Sequence, residues 1–362
     1  MRSWRLAGVG LILLCLSACG GVGAPTAASG SLQATSAPAQ ANQSCPAAPG
    51  PIIGQLVFGE DNNLYAMAEG GSNLTQLTNF DATRWAADPA WSPDGQTLAY
   101  TLNAQGSDPD FSWLPESSIC GMDRETGAGK LLARSESGRT ALAEPAWTAD
   151  GKALLVTRFE HEFDDKQYIR SAPSVTRYEL GDDTGTRLVA EGTAPTARPD
   201  GQAFAYVLID PEIQDFVLMA ASTDGQNNRQ ITAPDRPFGS MFGPRWSPDG
   251  RQLVFTASGG PSNDASNDDN LGRTLFERLL GVKVARAHGP PSNLWIVNGD
   301  GQGLRQINAN VLDDPRAAWS PDGKQIAYVA GLGGVYLIDL ASGQEQRISE
   351  QGNFGGITWT SR

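Results

Sequence analysis

The sequence predicts an all-β protein, a six-bladed β-propeller of four-stranded antiparallel blades. Three observations predict it. A Trp-Ser-Pro-Asp-Gly motif followed by a short apolar run recurs along the chain. A second strand–turn–strand unit follows it. The last copy is a lone first strand whose missing companions stand near residue 56.

The motif reads Trp91-Ser92-Pro93-Asp94-Gly95 before Leu98-Ala99-Tyr100, Trp246-Ser247-Pro248-Asp249-Gly250 before Leu253-Val254-Phe255, and Trp319-Ser320-Pro321-Asp322-Gly323 before Ile326-Ala327-Tyr328. Looser copies are Trp147-Thr148-Ala149-Asp150-Gly151 and Ala197-Arg198-Pro199-Asp200-Gly201. Proline presets the second turn position, and Asp and Gly suit the positions after it, so each copy is a hairpin with an apolar Trp anchor on its first strand. Asp94, Asp249 and Asp322 are expected to shape turns and bind nothing. Most copies carry proline two residues before the Trp position, at Pro89, Pro145, Pro195 and Pro244.

The second unit runs Val217–Ala220, Asp224-Gly225, Arg229–Thr232, and recurs as Leu294–Val297, Asp300-Gly301, Arg305–Asn308 and as Val335–Asp339, Ser342-Gly343, Gln346–Ser349. One period thus holds four strands. The Trp position falls at 91, 147, 197, 246, 319 and 359, and four-stranded units repeating at about 40–50 residues mark a propeller. Trp359 opens a sixth copy; Leu56–Phe58, Leu64–Met67 and Thr75–Thr78 match its remaining strands. Sharing one blade between the amino- and carboxyl-terminal strands closes the ring and removes an open sheet edge.

Residues 1–19 read as a leader: Arg2 and Arg5 precede the apolar Leu6–Leu16, which is too short for a mature membrane span. The segment ends Leu16-Ser17-Ala18-Cys19, which resembles the lipobox of bacterial lipoproteins. That resemblance implies cleavage before Cys19 and a lipid anchor on its thiol, with acyl chains such as palmitate. Residues 20–51 hold no charged and no aromatic side chain and read as a flexible tether. Residues 52–362 are expected to form the propeller, with an insertion at 257–291.

The chain carries 27 Lys and Arg against 40 Asp and Glu, a formal charge of −13, which becomes −15 once Arg2 and Arg5 leave. Such acidity argues against nucleic acid and against direct docking on anionic lipid. An exported protein, facing periplasm or exterior, permits a disulfide between Cys45 and Cys120. The expected state is a monomer.

In a propeller the tight turns share one face, and the connections between second and third strands and between blades share the other. Here the second set is long and irregular, including 101–118 and 158–173. Loops on a rigid scaffold carry binding, so this face or the channel mouth is the expected binding surface, with Trp85, Asp110, Trp113, His161, Phe163, Phe238 and Phe242 as candidates. Within the insertion, Asp264, Asp268 and Asp269 are candidates for calcium, although the EF-hand glycine and terminal glutamate are missing. No other cofactor is expected.

The sequence offers little for catalysis: two histidines, His161 and His288, no Gly-x-Ser-x-Gly elbow and no Cys/His cluster. The expectation is therefore a chain without enzymatic activity, with a carboxylate-based hydrolase or lyase as the least favoured alternative. The repeats resemble those of the TolB-type six-bladed propeller, which are WD-repeat-like. That resemblance covers Ile52 to Arg362 and implies a periplasmic propeller that binds partner proteins of the envelope. The chain carries only the tether where TolB has an α/β domain. The expected function is a lipid-anchored, protein-binding scaffold; the alternative is a small-molecule or glycan-binding propeller, calcium-assisted.

Overall fold

The computed structural model describes residues 44–107, 110–135, 139–164, 167–182, 184–209, 216–233, 238–259, 291–308, 312–331 and 333–361. The leader, Cys19, most of the tether, most of the insertion and its Asp264, Asp268 and Asp269 lie outside the described residues.

Six four-stranded antiparallel units follow one another. Blade 1 contains β1 (Leu56–Glu60), β2 (Asn63–Met67) and β3 (Thr75–Gln76). Blade 2 is β4 (Arg84–Trp91), β5 (Thr97–Ala104), β6 (Glu116–Asp123) and β7 (Gly129–Arg134). Blade 3 is β8 (Thr140–Trp147), β9 (Ala153–Asp164), β10 (Gln167–Glu179) and β11 (Thr186–Ala190). Blade 4 is β12 (Gly192–Ala197), β13 (Ala203–Ile209), β14 (Phe216–Ser222) and β15 (Arg229–Gln230). Blade 5 is β16 (Phe238–Trp246), β17 (Gln252–Gly259), β18 (Pro291–Asn298) and β19 (Arg305–Gln306), with β20 (Leu312–Asp313) against β18. Blade 6 is β21 (Arg316–Trp319), β22 (Gln325–Val329), β23 (Val335–Asp339) and β24 (Glu345–Ser349).

The last strand, β25 (Ile357–Trp359), pairs antiparallel with β1, matching Leu56 with Trp359 and Phe58 with Ile357. It thereby becomes the innermost strand of blade 1. The innermost strands β25, β4, β8, β12, β16 and β21 lie against one another in that order, and β21 returns to β25, so the ring is closed. In a six-membered ring blade 2 faces blade 5, and blade 3 faces blade 6. The molecule is an all-β propeller.

The turn chemistry is the same in four of the five copies. Ser92 Oγ donates to Asp94 Oδ1 at 2.6 Å, and that oxygen also accepts the Gln96 N–H at 3.0 Å. Ser247–Asp249, Ser320–Asp322 and Thr148–Asp150 repeat the pair at 2.6, 2.7 and 2.7 Å. The glycine after each Asp has a positive φ, 69° at Gly95 and Gly250 and 71° at Gly323, which a side chain would oppose. These aspartates do shape turns.

Two of the motif tryptophans hydrogen-bond to the neighbouring blade as well as anchoring their own hairpin. Trp147 Nε1 donates to the Ala90 carbonyl of blade 2 at 3.0 Å, and Trp319 Nε1 to the Arg245 carbonyl of blade 5 at 3.0 Å. Arg124 lies over the Trp91 ring at 4.9 Å and Arg198 over Trp246 at 5.5 Å. The β-strand cores between blades are fully buried, as at Leu56, Val57 and Phe58.

Three expectations need correction. The stretch 158–173 is no irregular loop: β9 and β10 run on as a twisted hairpin arm, paired from Glu179↔Ala153 to Gln167↔Asp164. Alternation explains it, since Phe159, His161 and Phe163 fall on one face and Glu160, Glu162 and Asp164 on the other, the period of a strand. The tether does not stay free as far as residue 51. The Ala48 N–H donates to the Gly127 carbonyl and the Ile52 N–H to the Arg124 carbonyl, both at 2.8 Å, and Cys45 is disulfide-bonded to Cys120 on β6. This segment gains backbone partners and a covalent link, which a composition-based reading cannot weigh. Phe238 is not a surface residue: it is 1% exposed, edge-on to Phe255 at 5.6 Å and Trp295 at 5.5 Å. Its ring is worth more in the core than in water.

Candidate functional site

Two constellations stand out, one on the long-connection side and one inside the channel. The first is built by the 105–115 connection of blade 2 and the hairpin arm of blade 3. Phe111 packs on Phe163 with ring centroids 4.5 Å apart, and Trp113 meets Tyr168 edge-on at 4.9 Å. Phe163 and Tyr168 are 6.0 Å apart, and the Arg139 guanidinium lies 5.1 Å over Phe163. Trp113 remains 53% exposed. Offset and edge-on contacts of this kind fix ring positions and leave a rigid apolar surface.

The same arm brings a serine and a histidine together. Ser171 is the cross-strand neighbour of His161. Ser171 Oγ lies 2.7 Å from His161 Nδ1 and 2.9 Å from the Tyr168 hydroxyl. Among the described residues His161 Nε2 is buried without a hydrogen-bond partner, and burial pushes the imidazole pKa below its usual value. Burial thus favours the neutral ring, which in its Nε2–H tautomer can accept a proton from the serine hydroxyl at Nδ1. Alongside, Arg170 grips both carboxylate oxygens of Glu162 at 3.0 and 3.1 Å and reaches Glu191 at 3.1 Å.

The second constellation comes from a bulge in the innermost strands. Pairing shifts register between Ala87 and Ala90, Ala143 and Ala146, Thr193 and Thr196, and Phe242 and Arg245. The residue before proline in each bulge has a left-handed backbone: Asp88 φ 52°, Glu144 φ 55°, Ala194 φ 49° and Gly243 φ 52°. The proline that follows has no N–H to leave unpaired. Left-handed backbone is unusual for Asp and Glu and more so before proline; their side chains offset it by binding the next blade. Asp88 Oδ2 accepts the Glu144 N–H at 3.3 Å and the Thr101 hydroxyl at 3.1 Å. Glu144 Oε2 accepts the Ala194 N–H at 2.9 Å and the Thr157 hydroxyl at 2.7 Å.

Across the channel stand two guanidinium groups. Arg316 pairs with Asp314 at 2.6 Å and lies 5.0 Å over Phe242. Arg245 donates to the Pro244 carbonyl at 2.9 Å, and among the described residues it has no carboxylate at ion-pair distance. Burial, then Asp88, raises the Glu144 pKa above the usual carboxylate range. Burial lowers that of Arg245, with Asp88 and Glu144 working the other way. Burial also disfavours charge on Arg316, but Asp314, Asp88 and Glu144 outweigh it and raise its pKa.

The sequence-derived candidates divide accordingly. Trp113 and Phe163 meet in the aromatic cluster, Asp110 is exposed beside it, and His161 joins the arm. Trp85 sits half-buried on β4 with its indole N–H buried and unpartnered. Phe242 belongs to the channel with Arg316, 6.3 Å from Phe216. Phe238 is core. The sequence reading missed Ser171, Glu144, Arg245 and Arg316. The prolines at 89, 145 and 244 were the available mark for the acids and for Arg245, which flank them. A separate cavity of about 270 Å³ opens among the turn-side residues Thr148, Asp150, Gly201 and Phe204, away from both constellations. Among the described residues no cluster of His, Cys, Asp and Glu offers a metal site.

No protein-family model matches the chain. In solved structures the fold is similar to TolB from Acinetobacter baumannii, with TM-score 0.60 at 15% identity over 86% of this chain and 68% of that one. It is also similar to a putative TolB from Agrobacterium tumefaciens, with TM-score 0.50 at 15% identity, covering 85% and 98%. At such identities the likeness concerns the propeller fold. Among curated sequences the chain is 24% identical over 199 residues to a protein of Bacillus subtilis (strain 168) described as the uncharacterized peptidase YuxL. The match covers 53% of this chain but only 30% of that relative. This finding overturns the expectation that the chain is no enzyme: a stretch shared with a peptidase is not classed as non-enzymatic by counting histidines. The Ser171–His161 contact is one pairing that such a count did not anticipate.

Proposed function

We propose that this chain is a binding propeller of the cell envelope, held to a membrane through lipid on Cys19, that docks a partner protein on the aromatic surface of blades 2 and 3. The observation that carries the reading is Trp113, half-exposed yet fixed edge-on to Tyr168 above Phe111 and Phe163. Aromatic rings held rigid at a surface lose little entropy on binding, and this is why they dominate interface energetics. The acidic domain favours a partner with a basic rim. The lipobox resemblance and the TolB-like fold support an exported location.

The test is crosslinking of the full chain in envelope extract, beside the Trp113→Ala and Tyr168→Ala variants. A protein captured by the parent and lost by both variants, with unchanged melting temperatures, supports the reading. Capture unaffected by either variant removes this surface from consideration, and glycan arrays then take up the small-ligand alternative. Separately, Cys19→Ser is expected to move the protein from the membrane to the soluble fraction.

A second reading is peptide hydrolysis, favoured by the likeness to a protein described as a peptidase and by the 2.7 Å contact between Ser171 and His161. Its test is turnover of fluorogenic peptides by the full chain. Activity abolished by Ser171→Ala supports it; activity indifferent to that change assigns the chemistry elsewhere.

A further inference from the structure

The channel charges are sorted by side. Counting three residues back from the Trp position, the six blades present Gly356, Asp88, Glu144, Ala194, Gly243 and Arg316. One residue back, blade 5 presents Arg245, whereas the other blades present only Ala or Thr. Because the ring is closed, Asp88 on blade 2 faces Arg245 on blade 5, and Glu144 on blade 3 faces Arg316 on blade 6. Small residues fill the intervening positions. The channel therefore has an acidic wall and a basic wall.

The walls do not neutralise each other by contact. Among the described residues the ion pair of Arg316 is with Asp314 on its own blade, and neither arginine pairs with Asp88 or Glu144. Hydrogen bonds within and between blades occupy one oxygen of each acid, Oδ2 of Asp88 and Oε2 of Glu144. The other oxygens, and the Arg245 nitrogens other than Nη1, have no hydrogen bond among the described residues. Asp88, Glu144, Arg245 and Arg316 are each only partly buried. A guanidinium withdrawn from bulk water is stabilised by a carboxylate in a paired geometry, and a carboxylate by an ammonium or another charged donor.

We propose that the channel binds a zwitterion, an α-amino acid or short peptide with free termini, its carboxylate on Arg245 and Arg316 and its ammonium on Asp88 and Glu144. One ligand then satisfies both walls. The site is distinct from the aromatic surface proposed for a partner protein, so either assignment stands or falls without the other.

The test is isothermal titration calorimetry of the full chain with glycine, Ala-Ala and Ala-Ala-Ala, each also as its carboxyl amide and its N-acetyl derivative. The expected result is saturable binding of at least one free ligand, with amidation and acetylation each weakening it about tenfold or more, as loss of a charge-assisted hydrogen bond implies. Arg245→Met is expected to remove binding; its circular dichroism and melting curve report whether it folds. The blocked ligands test the same point on the unaltered protein. Absence of binding by all free ligands overturns the proposal, as does equal binding of free and amidated forms. Sensitivity to amidation with indifference to acetylation also overturns it, since the acidic wall then plays no part.

Discussion

Glu144 carries opposing demands. Its carboxylate bridges blades 3 and 4, yet burial and Asp88 raise its pKa above the ordinary 4.5. The folded state therefore holds this proton more tightly than the unfolded chain does. The group's contribution to stability is most favourable below the unfolded value and is lost as pH rises through the folded one. Glu144→Gln keeps an acceptor oxygen and removes the proton. Urea unfolding at several pH values above 4.5 is expected to show stability falling with pH in the parent and a flatter profile in the variant. An unchanged slope would assign the effect to another group. The motif tryptophans offer a second comparison. Trp147→Phe removes an indole hydrogen bond to the Ala90 carbonyl and is expected to cost about 1 kcal/mol beyond the packing change. Among the described residues the Trp91 N–H is buried without a partner, so Trp91→Phe should cost less. Thermal melts of the pair decide this.

At the scale of elements, the hairpin arm and the amino-terminal strap matter most. The arm was legible in part. His161, Phe163 and the charged residues between them alternate with a strand's period, but the charges of Glu160, Glu162 and Asp164 made the stretch read as a loop. Ser171 carried no mark at all, because its partner lies across the hairpin and only register places it there. Phe238 misled for the opposite reason: it follows a charged, proline-containing stretch, and its burial depends on Phe255 and Trp295, which no local pattern ties to it. The strap, residues 44–52, is fastened by the Cys45–Cys120 bond, which encloses a sequence separation of 75 residues. By loop-closure entropy its loss should cost about 4 kcal/mol. Chemical unfolding with and without reductant, compared with Cys45→Ser, should give that difference for both treatments. A much smaller loss would mean that the Ala48 and Ile52 backbone hydrogen bonds hold the strap by themselves.

For the molecule as a whole, the repeat made the architecture readable. Blade count, strand count and the shared first blade all follow from the spacing of one motif. The channel did not follow, although the prolines before Trp91, Trp147 and Trp246 were visible. Two blades become opposite only once a ring of six is complete, and charge sorting across a channel is a property of that count. The aromatic surface likewise needs two blades side by side. Closure itself is testable. Ile357→Asp places a charge in the seam against the fully buried Phe58, and it is expected to abolish cooperative unfolding, as read by near-ultraviolet circular dichroism. A normal melting transition would show that the seam contributes little.

The seam between β1 and β25 also orders events in time. During vectorial synthesis, β1 leaves the ribosome first and its pairing partner last, so blade 1 waits for the rest of the domain. Until then the edge of Leu56-Val57-Phe58 is bare, a sticky template for other chains. A chaperone that shields this one edge would protect the whole ring.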